Sequence, residues 1–398
     1  MSCHSELRSN HPRPVDRFKG LDLAQVPSPC YVVDLEQLRR NGRLMAHIQA
    51  AAACKILLAL KAFSTWSAFP EIKPFLAGTC ASGRHEARLG FEEFGGEVHV
   101  FAPVFTDTDM ECLVEIADHI SFNSLHQWER HRPRIQGQAR SIQCGLRINP
   151  RVQVATTEMY DPSAPRSRFG VLASELSDIL PEGITGLHVH NLCEQTLGPL
   201  LRTLEAVERD FGHLLHQAKW LNLGGGHHLT RAGYEVEELI ALIRRLKSTY
   251  GVEIYLEPGE AAVLNAGIIV ATVQDVLERG PESVAILDLS ATCHMPDVLE
   301  MPYRPALWDS YEYGQTPHSY RLGGDTCLAG DVFGDFAFPA PLRPGQRIAF
   351  DNEALYTMVK STSFNGVPHP SIATWDPETG ELKVVREFGY EDYKRRLS

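Results

Sequence analysis

The most restrictive feature of the sequence is an alternation of short apolar runs with segments of helical period between residues 55 and 256. In the intervening segments apolar residues recur at spacings of three and four, as an amphipathic helix that covers a sheet requires. Runs that are apolar on both faces indicate parallel strands buried on both sides. Eight such units predict a closed (β/α)8 TIM-type barrel, with an open doubly wound sheet as the alternative. The predicted strands are KILLAL (55–60), TCA (79–81), EVHVF (97–101), HISF (119–122), IQCGLRI (142–148), ITGLHVH (184–190), KWLNL (219–223) and VEIYL (252–256).

The hydrophobic pattern changes after residue 265: segments with helical periodicity are replaced by short apolar runs separated by Gly, Pro and Asp. This pattern is typical of an all-β domain. A chain of 398 residues also exceeds most single compact domains. We therefore predict a barrel over residues 28–265 and a β domain built from residues 1–27 and 266–398. The runs that indicate the second domain are IIVATVQDVL, VAILDL, QRIAF and LKVVREF.

The charge balance of the chain is acidic, with 38 Lys and Arg against 50 Asp and Glu and a formal net charge of −12. Like charges do not form blocks. This argues against nucleic acid and anionic membranes as partners, and it mildly favours cationic small molecules.

The cysteine pattern and the opening of the chain bear on its compartment. The nine cysteines are an odd number without a C-x-x-C pair, which is typical of a reduced compartment and indicates neither a disulfide framework nor a zinc site. The opening stretch MSCHSELRSNHPRPVDRFKG has no apolar core, and no apolar run reaches the roughly 18 residues of a membrane span. We expect a cytoplasmic protein.

Polar residues and glycines follow the predicted strands at their carboxyl ends, which is where barrels of this type carry their active sites. Each has an ordinary explanation by itself: a core histidine, an ion-pair arginine, a solvent-facing lysine, a loop acid or a flexible glycine turn. Their coincidence at strand ends predicts a catalytic site. The residues are Lys61, Arg147, His188, His190, the glycines Gly224, Gly225 and Gly226, and Glu257.

Two of these features together suggest the cofactor. Three consecutive glycines after a strand let backbone N–H groups converge on an anion, and the loops after the last strands of such barrels often bind phosphate. A lysine directly after an apolar strand either points to solvent or has an amine meant to be uncharged and reactive, because burying an unpaired ammonium is costly. A phosphate site with a reactive lysine suggests pyridoxal 5′-phosphate, held by Lys61 as a Schiff base.

The other strand ends fit the same cofactor. A carboxylate at Glu257 would keep the pyridine nitrogen protonated and make the ring an electron sink. His188 could lie against the ring face. Arg147 could anchor the side of the ring that carries the phenolic oxygen.

These residues lie in motifs that resemble the fold type III, alanine-racemase-like pyridoxal-phosphate decarboxylases, which include ornithine, arginine and diaminopimelate decarboxylases. Within that family LALKAF, HVHNLCE and ATCHMPDVLEMPYRP are most similar to the carboxynorspermidine decarboxylases. The resemblance implies decarboxylation of a carboxylated triamine, carboxynorspermidine or carboxyspermidine, in polyamine biosynthesis. Its motifs, in chain order, are LALKAF, TCASGRHEA, GLRINP, LHVHNLCE, LNLGGG, LEPGE, GGDTCLAGDVFG and ALYTMVKSTSFNG.

The resemblance also implies roles for residues outside the strand ends. Cys327 matches a cysteine that enters the active site of the neighbouring subunit and donates a proton after decarboxylation, which implies a homodimer with shared active sites. Tyr356 matches a tyrosine that reaches the cofactor phosphate. The chain departs from the family at Leu328, where the ornithine and diaminopimelate enzymes carry an acid, and at His190, where relatives have glycine.

These departures favour a longer polyamine-type substrate with contacts elsewhere. An acidic pocket would attract its ammonium groups and reject a second distal carboxylate. The predicted substrate-binding residues are His190, Glu194, Asp297 and Asp331, with Glu300 as a further candidate acid.

Four alternatives remain open at this point. Diaminopimelate or another basic amino acid could be the substrate of the same fold. A racemase of this fold tends to place an arginine opposite the pyridine nitrogen, so Glu257 argues against it. A non-catalytic relative would not need the intact set of lysine, glycines, glutamate and cysteine. A metal-dependent hydrolase could use His188 and His190 as an H-x-H ligand pair, but it leaves Lys61 and the glycines unexplained.

Overall fold

The computed structural model describes residues 12–155 and 158–398. The chain divides into two compact units: one runs up to Leu38 and resumes at Asn265–Ser398, and the other is Arg39–Leu264. No helix in the described part of the chain is long and apolar enough to cross a membrane. The eight cysteines among these residues are all free thiols.

Seventeen strands are formed by the described residues. The first nine are β1 (Cys30–Asp34), β2 (Lys55–Ala59), β3 (Gly78–Ala81), β4 (Glu97–Phe101), β5 (His119–Phe122), β6 (Gln143–Arg147), β7 (Ile184–His188), β8 (Trp220–Asn222) and β9 (Glu253–Leu256). The remaining eight are β10 (Gly267–Leu277), β11 (Val284–Leu287), β12 (Tyr311–Glu312), β13 (His318–Gly323), β14 (Val332–Phe338), β15 (Arg347–Asp351), β16 (Ser371–Asp376) and β17 (Glu381–Arg386).

Most α-helices of the described residues lie in the unit Arg39–Leu264, next to strands β2–β9 in sequence. The helices of both units are α1 (Leu35–Ala52), α2 (Phe69–Ile72), α3 (Arg84–Leu89), α4 (Asp107–Ile116), α5 (Leu125–Gln136), α6 (Leu197–Leu215), α7 (Val236–Tyr250), α8 (Glu260–Val263), α9 (Ala291–His294), α10 (Asp297–Glu300) and α11 (Tyr390–Leu397). The local sequence sets their ends. Thr106 and Asp109 form a capping box at the start of α4, and Gly251 ends α7 with a positive φ of 71°.

Strands β2 to β9 form a closed barrel in sequence order. All neighbours are parallel, and the ring closes where Lys55 and Ile56 of β2 pair with Tyr255 and Leu256 of β9. The predicted (β/α)8 barrel is therefore confirmed, including each of its eight strands. The alternative, an open doubly wound sheet, is excluded because the ring of strands is closed and has no edge.

A tryptophan fills part of the barrel, and two glycines make room for it. A Cβ on Gly186 would lie 2.0 Å from the Trp220 ring, and a Cβ on Gly145 would lie 2.3 Å from it. Trp220 packs with Leu57 and Tyr255 in a buried apolar cluster. The interior is thus a packed core rather than a pore.

A layer of polar side chains lies at the amino ends of the barrel strands. Lys55 donates to one carboxylate oxygen of Glu97, and Nε2 of His99 lies 3.0 Å from the other. The rings of His99 and His119 stack with centroids 3.9 Å apart. Burial works to raise the pKa of Glu97, but the hydrogen bonds with His99 and Lys55 outweigh it and lower the pKa to about 2. The carboxylate therefore stays ionised beside the ammonium of Lys55.

The other unit is a mainly antiparallel sheet. Its strands follow the order β12, β14, β13, β11, β10, β1, β16 and β17, with β15 added on β10. The pairs β1–β16 and β11–β13 are parallel. The predicted β domain is confirmed as a mainly antiparallel sheet, to which the structure adds strand β1 and the short helices α9, α10 and α11.

The domain boundary predicted at residue 28 differs from the structure. Strand β1 was predicted to belong to the barrel domain, but it lies in the sheet unit, which runs up to Leu38. Its five residues are buried and pair with β10 on one side and β16 on the other. Tyr31 lies opposite both Ile269 and Ile372. An apolar five-residue run suits a central strand of either unit, so sequence pattern alone could not decide which sheet it joins.

Candidate active site

The predicted site residues of the barrel unit lie at the carboxyl ends of its strands. Arg147 and His188 are the last residues of β6 and β7, and the others lie in the segments that follow β2, β7, β8 and β9. Hydrogen bonds and short contacts connect Lys61, Arg147, His188, His190, Gly224, Gly225 and Glu257, as described below.

Glu257 is a mostly buried carboxylate with defined partners, and its side chain is 12% exposed. Its Oε1 accepts a hydrogen bond from Nδ2 of Asn222 at 2.7 Å, and its Oε2 lies 3.4 Å from Nε2 of His188. Burial works to raise the pKa of Glu257, but the interactions with His188 and Asn222 outweigh it and lower the pKa to about 2. An ionised carboxylate therefore stands at the end of β9 at neutral pH.

His188 is buried and has free hydrogen-bonding capacity. Burial lowers the pKa of His188 and the neighbouring Glu257 opposes this shift, so the ring is neutral at pH 7. Phe101 meets the imidazole edge to face, with centroids 5.5 Å apart. Within the described residues neither ring nitrogen has a hydrogen-bond partner. Buried polar atoms without partners are costly, which is consistent with a ring that contacts a ligand.

Arg147 is held between two aromatic rings. Its guanidinium carbon lies 4.4 Å from the ring centroid of Phe101 and 4.4 Å from that of Phe169. Burial lowers the pKa of Arg147 to about 9, with Glu257 opposing the shift. The side chain therefore keeps its positive charge at neutral pH in a fixed orientation.

His190 connects three parts of the site. Its Nδ1 accepts the backbone N–H of Gly225 at 2.9 Å, and its Nε2 lies 3.4 Å from Nζ of Lys61. Its carbonyl oxygen accepts a hydrogen bond from Nη2 of Arg147 at 2.6 Å. The sequence suggested a substrate-binding role for His190; the structure places it among the residues expected to hold the cofactor.

Glycine is required throughout the loop after β8. Gly224 and Gly226 have φ of +65° and +86°, and a Cβ on Gly225 would lie 2.1 Å from the carbonyl oxygen of Glu257. Asn222 Oδ1 accepts the N–H of Gly224 at 2.8 Å, and His190 accepts that of Gly225.

The backbone donors left free by this loop fit an anion. Within the described residues no acceptor bonds to the N–H of Gly226 or of His227. Two adjacent free donors beside left-handed glycines form the kind of backbone nest that binds phosphate. The loop therefore fits the phosphate of the predicted cofactor, through Gly226 and His227 rather than through all three glycines.

Asn222 is a site residue that sequence reasoning missed. Its amide donates to Glu257 and accepts from Gly224, so it fixes both the carboxylate and the glycine loop. A polar residue at the end of the apolar run KWLNL, directly before the glycines, was the available signal.

Two further histidines behind the glycine loop were also missed. His227 Nδ1 lies 2.6 Å from the hydroxyl of Tyr234, and burial lowers the pKa of His227 to about 4. His228 Nε2 lies 3.0 Å from a carboxylate oxygen of Glu260. The signal for both was the HH pair that follows the glycines.

The site candidates of the sheet unit lie on loops. Cys327 is exposed, and its backbone N–H donates to Asn365 Oδ1 at 2.7 Å. Leu328 beside it is 44% exposed. Tyr356 lies half-buried in a turn after β15. An exposed, anchored thiol is consistent with the predicted contribution to a neighbouring subunit, which stays a prediction.

The acids expected to bind the substrate have partners within their own unit. Asp331 is 4% exposed, and its carboxylate accepts the N–H groups of Thr292 and Thr326 and the hydroxyl of Thr326. Asp297 and Glu300 both bind Lys360. These contacts give the three acids structural roles in their loops, and their predicted role toward substrate stays untested.

Glu194 lies in the barrel unit, in the loop between β7 and α6. Its backbone has a positive φ of 54°, which is uncommon for a side chain with a Cβ. Its predicted contact with substrate also stays untested.

The chain matches the family model described as "Pyridoxal-dependent decarboxylase, C-terminal sheet domain" over residues 30–353. It belongs to the pyridoxal-dependent decarboxylase family. The resemblance inferred from the motifs is therefore confirmed.

Two curated relatives match almost the whole chain. The chain is 44% identical to a carboxyaminopropylagmatine decarboxylase of Synechocystis sp., covering 94% of this chain and 96% of that protein. It is 37% identical to a carboxynorspermidine/carboxyspermidine decarboxylase of Campylobacter jejuni, covering 94% and 99%.

Solved structures agree with this placement. The crystal structure of carboxynorspermidine decarboxylase complexed with norspermidine from Campylobacter jejuni matches with a TM-score of 0.87 at 36% identity, covering 93% of this chain and all of that one. A diaminopimelate decarboxylase from Helicobacter pylori matches with a TM-score of 0.79 at 17% identity, which shows the shared fold.

Proposed function

We propose that this member of the family decarboxylates an amino acid that carries a 3-amino-3-carboxypropyl group on a polyamine or on agmatine. The observation that carries the proposal is the ionised Glu257 at the end of β9, which accepts a hydrogen bond from Asn222 and lies 3.4 Å from Nε2 of His188. A carboxylate in that state can hold a proton on a pyridine nitrogen, which decarboxylation requires and racemisation does not.

The chain's own residues divide the work of holding the cofactor and steering the reaction. Bound pyridoxal 5′-phosphate would supply the electron sink for the pair released when CO2 leaves. Glu257 would accept the pyridine N–H, and Asn222 would keep the carboxylate in place. Lys61 would provide the amine that binds the cofactor aldehyde. The free N–H groups of Gly226 and His227 would bind the phosphate.

His188 and Arg147 would complete the frame around the ring. The neutral imidazole of His188 offers a flat surface with unpartnered nitrogens. Arg147 is fixed between two aromatic rings and can keep a cation beside an oxyanion of the cofactor. Orientation of this kind contributes to the rate by fixing the scissile bond in one geometry.

The substrate class rests on the relatives and on charge. The named relatives act on carboxynorspermidine, carboxyspermidine or carboxyaminopropylagmatine, which share an amino acid head and a cationic tail. Neutral Leu328 stands where the ornithine and diaminopimelate enzymes of the resemblance carry an acid. A guanidinium-ended tail is the second candidate besides the triamines, because the relative at 44% identity acts on the agmatine derivative.

The deciding experiment measures CO2 release and amine products from five compounds side by side: carboxynorspermidine, carboxyspermidine, carboxyaminopropylagmatine, diaminopimelate and ornithine. We expect kcat/KM for one of the first three to exceed that for the last two by roughly 100-fold or more, since a site built for distal cations rejects a distal carboxylate. A preference for diaminopimelate would overturn the proposed substrate class.

Lys61→Ala is the matched test of the cofactor. The variant should lose both turnover and the visible absorption of lysine-bound cofactor while keeping the thermal unfolding of the cofactor-free protein. Retention of turnover would remove the basis of the proposal.

We further propose a homodimer in which Cys327 of one subunit completes the site of the other. The exposed thiol on an anchored loop supports this assembly. Its test is a subunit-mixing experiment, given in the Discussion.

A further inference from the structure

Cys327 lies on a loop of the sheet unit that is closed at its base. The backbone N–H of Gly324 donates to the carbonyl oxygen of Asp331 at 2.8 Å. The carboxylate of Asp331 points back into the same loop, where it accepts the N–H and the hydroxyl of Thr326. Residues 324–331, called the cysteine loop below, are therefore held by their own contacts up to the residue that precedes the thiol.

A tight turn at residues 364–367 faces this loop. Its two central residues, Asn365 and Gly366, have positive φ of 56° and 78°, and the N–H of Val367 donates to the carbonyl oxygen of Phe364 at 3.2 Å. This is the pattern of a type I′ turn, for which Asn-Gly is a favoured pair. The local sequence therefore fixes the backbone from which the Asn365 side chain projects.

The side chain of Asn365 joins the turn to the cysteine loop. Its Oδ1 accepts the backbone N–H of Cys327 at 2.7 Å. Within the described residues no second acceptor bonds to this N–H. The side chain of Cys327 is exposed, so packing does not hold it. Asn365 is therefore the contact that fixes the backbone of the residue that carries the thiol.

Helix α9 anchors both partners of this hydrogen bond. The N–H of Thr292 donates to the carboxylate of Asp331 at 3.1 Å. The carbonyl oxygen of Cys293 accepts the N–H of Thr362, just before the turn, at 2.8 Å. The cysteine loop and the turn are thus attached to adjacent residues of one helix, and the contact between them closes a ring of hydrogen bonds.

We propose that Asn365 is a positioning residue that holds the thiol of Cys327 where it protonates the substrate carbon after CO2 leaves. The inference rests on the proposed role of Cys327 in the site of the neighbouring subunit. The thiol hydrogen goes to the carbon that held the carboxylate, which gives the amine product, and the thiolate recovers a proton from water.

A displaced thiol leaves a second outcome open to the same electron pair. A proton from water can instead reach the aldehyde carbon of the cofactor, which is part of the electron sink. Hydrolysis of the carbon–nitrogen double bond by one water molecule then releases an aldehyde and leaves pyridoxamine 5′-phosphate. The ratio of the two outcomes therefore reports the position of the proton donor.

Two substitutions separate the hydrogen bond from the turn. Asn365→Gly keeps the left-handed backbone but has no acceptor. Asn365→Asp keeps an acceptor and tolerates the left-handed conformation, so it should restore the contact. Asn265→Gly is the matched control, because Asn265 is an exposed asparagine of the same unit with φ of 62° whose described hydrogen bonds are made by its backbone.

The first readout is hydrogen–deuterium exchange of the holoenzyme without substrate, resolved to single amides. The N–H of Cys327 should exchange about three- to tenfold faster in Asn365→Gly than in wild type, the factor that one hydrogen bond supplies. Asn365→Asp and Asn265→Gly should exchange no faster than wild type. Unchanged exchange in Asn365→Gly would overturn the inference, and this result does not depend on whether the protein decarboxylates any substrate.

The second readout is pyridoxamine 5′-phosphate formed per CO2 released, with Cys327→Ala as the upper limit. Asn365→Gly should raise this ratio about three- to tenfold, and Asn365→Asp should return it toward wild type. KM should change by less than about twofold, because the hydrogen bond acts after substrate has bound. A raised ratio in Cys327→Ala with an unchanged ratio in Asn365→Gly would refute the positioning role. An unchanged ratio in Cys327→Ala would instead refute the proposed role of the thiol itself.

Discussion

Replacing Glu353 with glutamine should stabilise the sheet unit at alkaline pH and have little effect at pH 5. Glu353 is 3% exposed, and its carboxylate accepts a hydrogen bond from the hydroxyl of Thr357 at 2.7 Å. Burial raises the pKa of Glu353 from 4.5 to about 8, which the Thr357 hydrogen bond opposes and the charges of Asp351 and Asp297 reinforce. The folded protein therefore holds a proton here that the unfolded chain has already released.

The sign and size follow from proton linkage. The stabilisation from this proton is fully present below the unfolded pKa of 4.5 and is lost as the pH rises through the folded value of about 8. Each pH unit in that window costs the wild type about 1.4 kcal/mol of unfolding free energy. Glutamine does not titrate, so between pH 5 and pH 8 its advantage should grow by up to about 4 kcal/mol.

The assay is urea unfolding of wild type and Glu353→Gln at pH 5, 6, 7 and 8. Glu381→Gln, which changes an exposed glutamate of the same unit, serves as the control and should track the wild type at every pH. A difference between Glu353→Gln and wild type that stays constant over this range would refute the reasoning, because a constant difference reflects packing rather than a proton.

Three further predictions concern the site. Glu257→Gln should cut CO2 release by about 100-fold or more while leaving cofactor absorbance in place, since an amide cannot keep the pyridine nitrogen protonated; wild-type turnover would contradict its role. Gly225→Ala should lower the free energy of unfolding by about 1–3 kcal/mol, measured by urea denaturation, because its Cβ would lie 2.1 Å from a backbone oxygen, whereas Gly389→Ala, with nothing within 4 Å, should not. If Lys61→Ala and Cys327→Ala homodimers are both weak, an equal mixture refolded together should recover about a quarter of wild-type activity, because about half the dimers are mixed and each has one intact site; verified exchange without recovery would exclude shared sites.

The barrel could be predicted from the sequence because its evidence is local. Each of its strands is an apolar run beside a helix of clear period, and consecutive strands pair in sequence order. For the other unit the sequence predicted only that it is a β domain, and not the order or pairing of its strands. Strands such as β13 and β14 carry mixed polar and apolar residues, and β1 finds its partners in β10 and β16, more than 200 residues further along the chain. Periodicity within one segment contains no information about such distant pairing.

The candidate site was predictable to the level of residue type and strand end. Lys61, His188 and Glu257 followed from position alone, because parallel strands of a barrel end at one face. Which donors remain free could not be predicted, since Asn222 and His190 take up the first two glycine N–H groups through side-chain contacts between strands. For the same reason the sequence could not reveal that the carboxylate of Asp331 is already hydrogen-bonded to Thr292 and Thr326.

The position of β1 has a consequence for biosynthesis. The barrel is one uninterrupted stretch, Arg39–Leu264, so all of its strands exist once the ribosome has passed that point. Strand β1 is made before the barrel, yet both of its neighbours, β10 and β16, are made after it. During translation a buried-type apolar strand must therefore stay unpaired while an entire domain is synthesised and folds, and strand edges of this kind promote association with other chains. Ribosomes that stall within β10–β16 would leave a folded barrel whose strand β1 lacks at least one of its two neighbours, and such an unpaired strand edge favours aggregation.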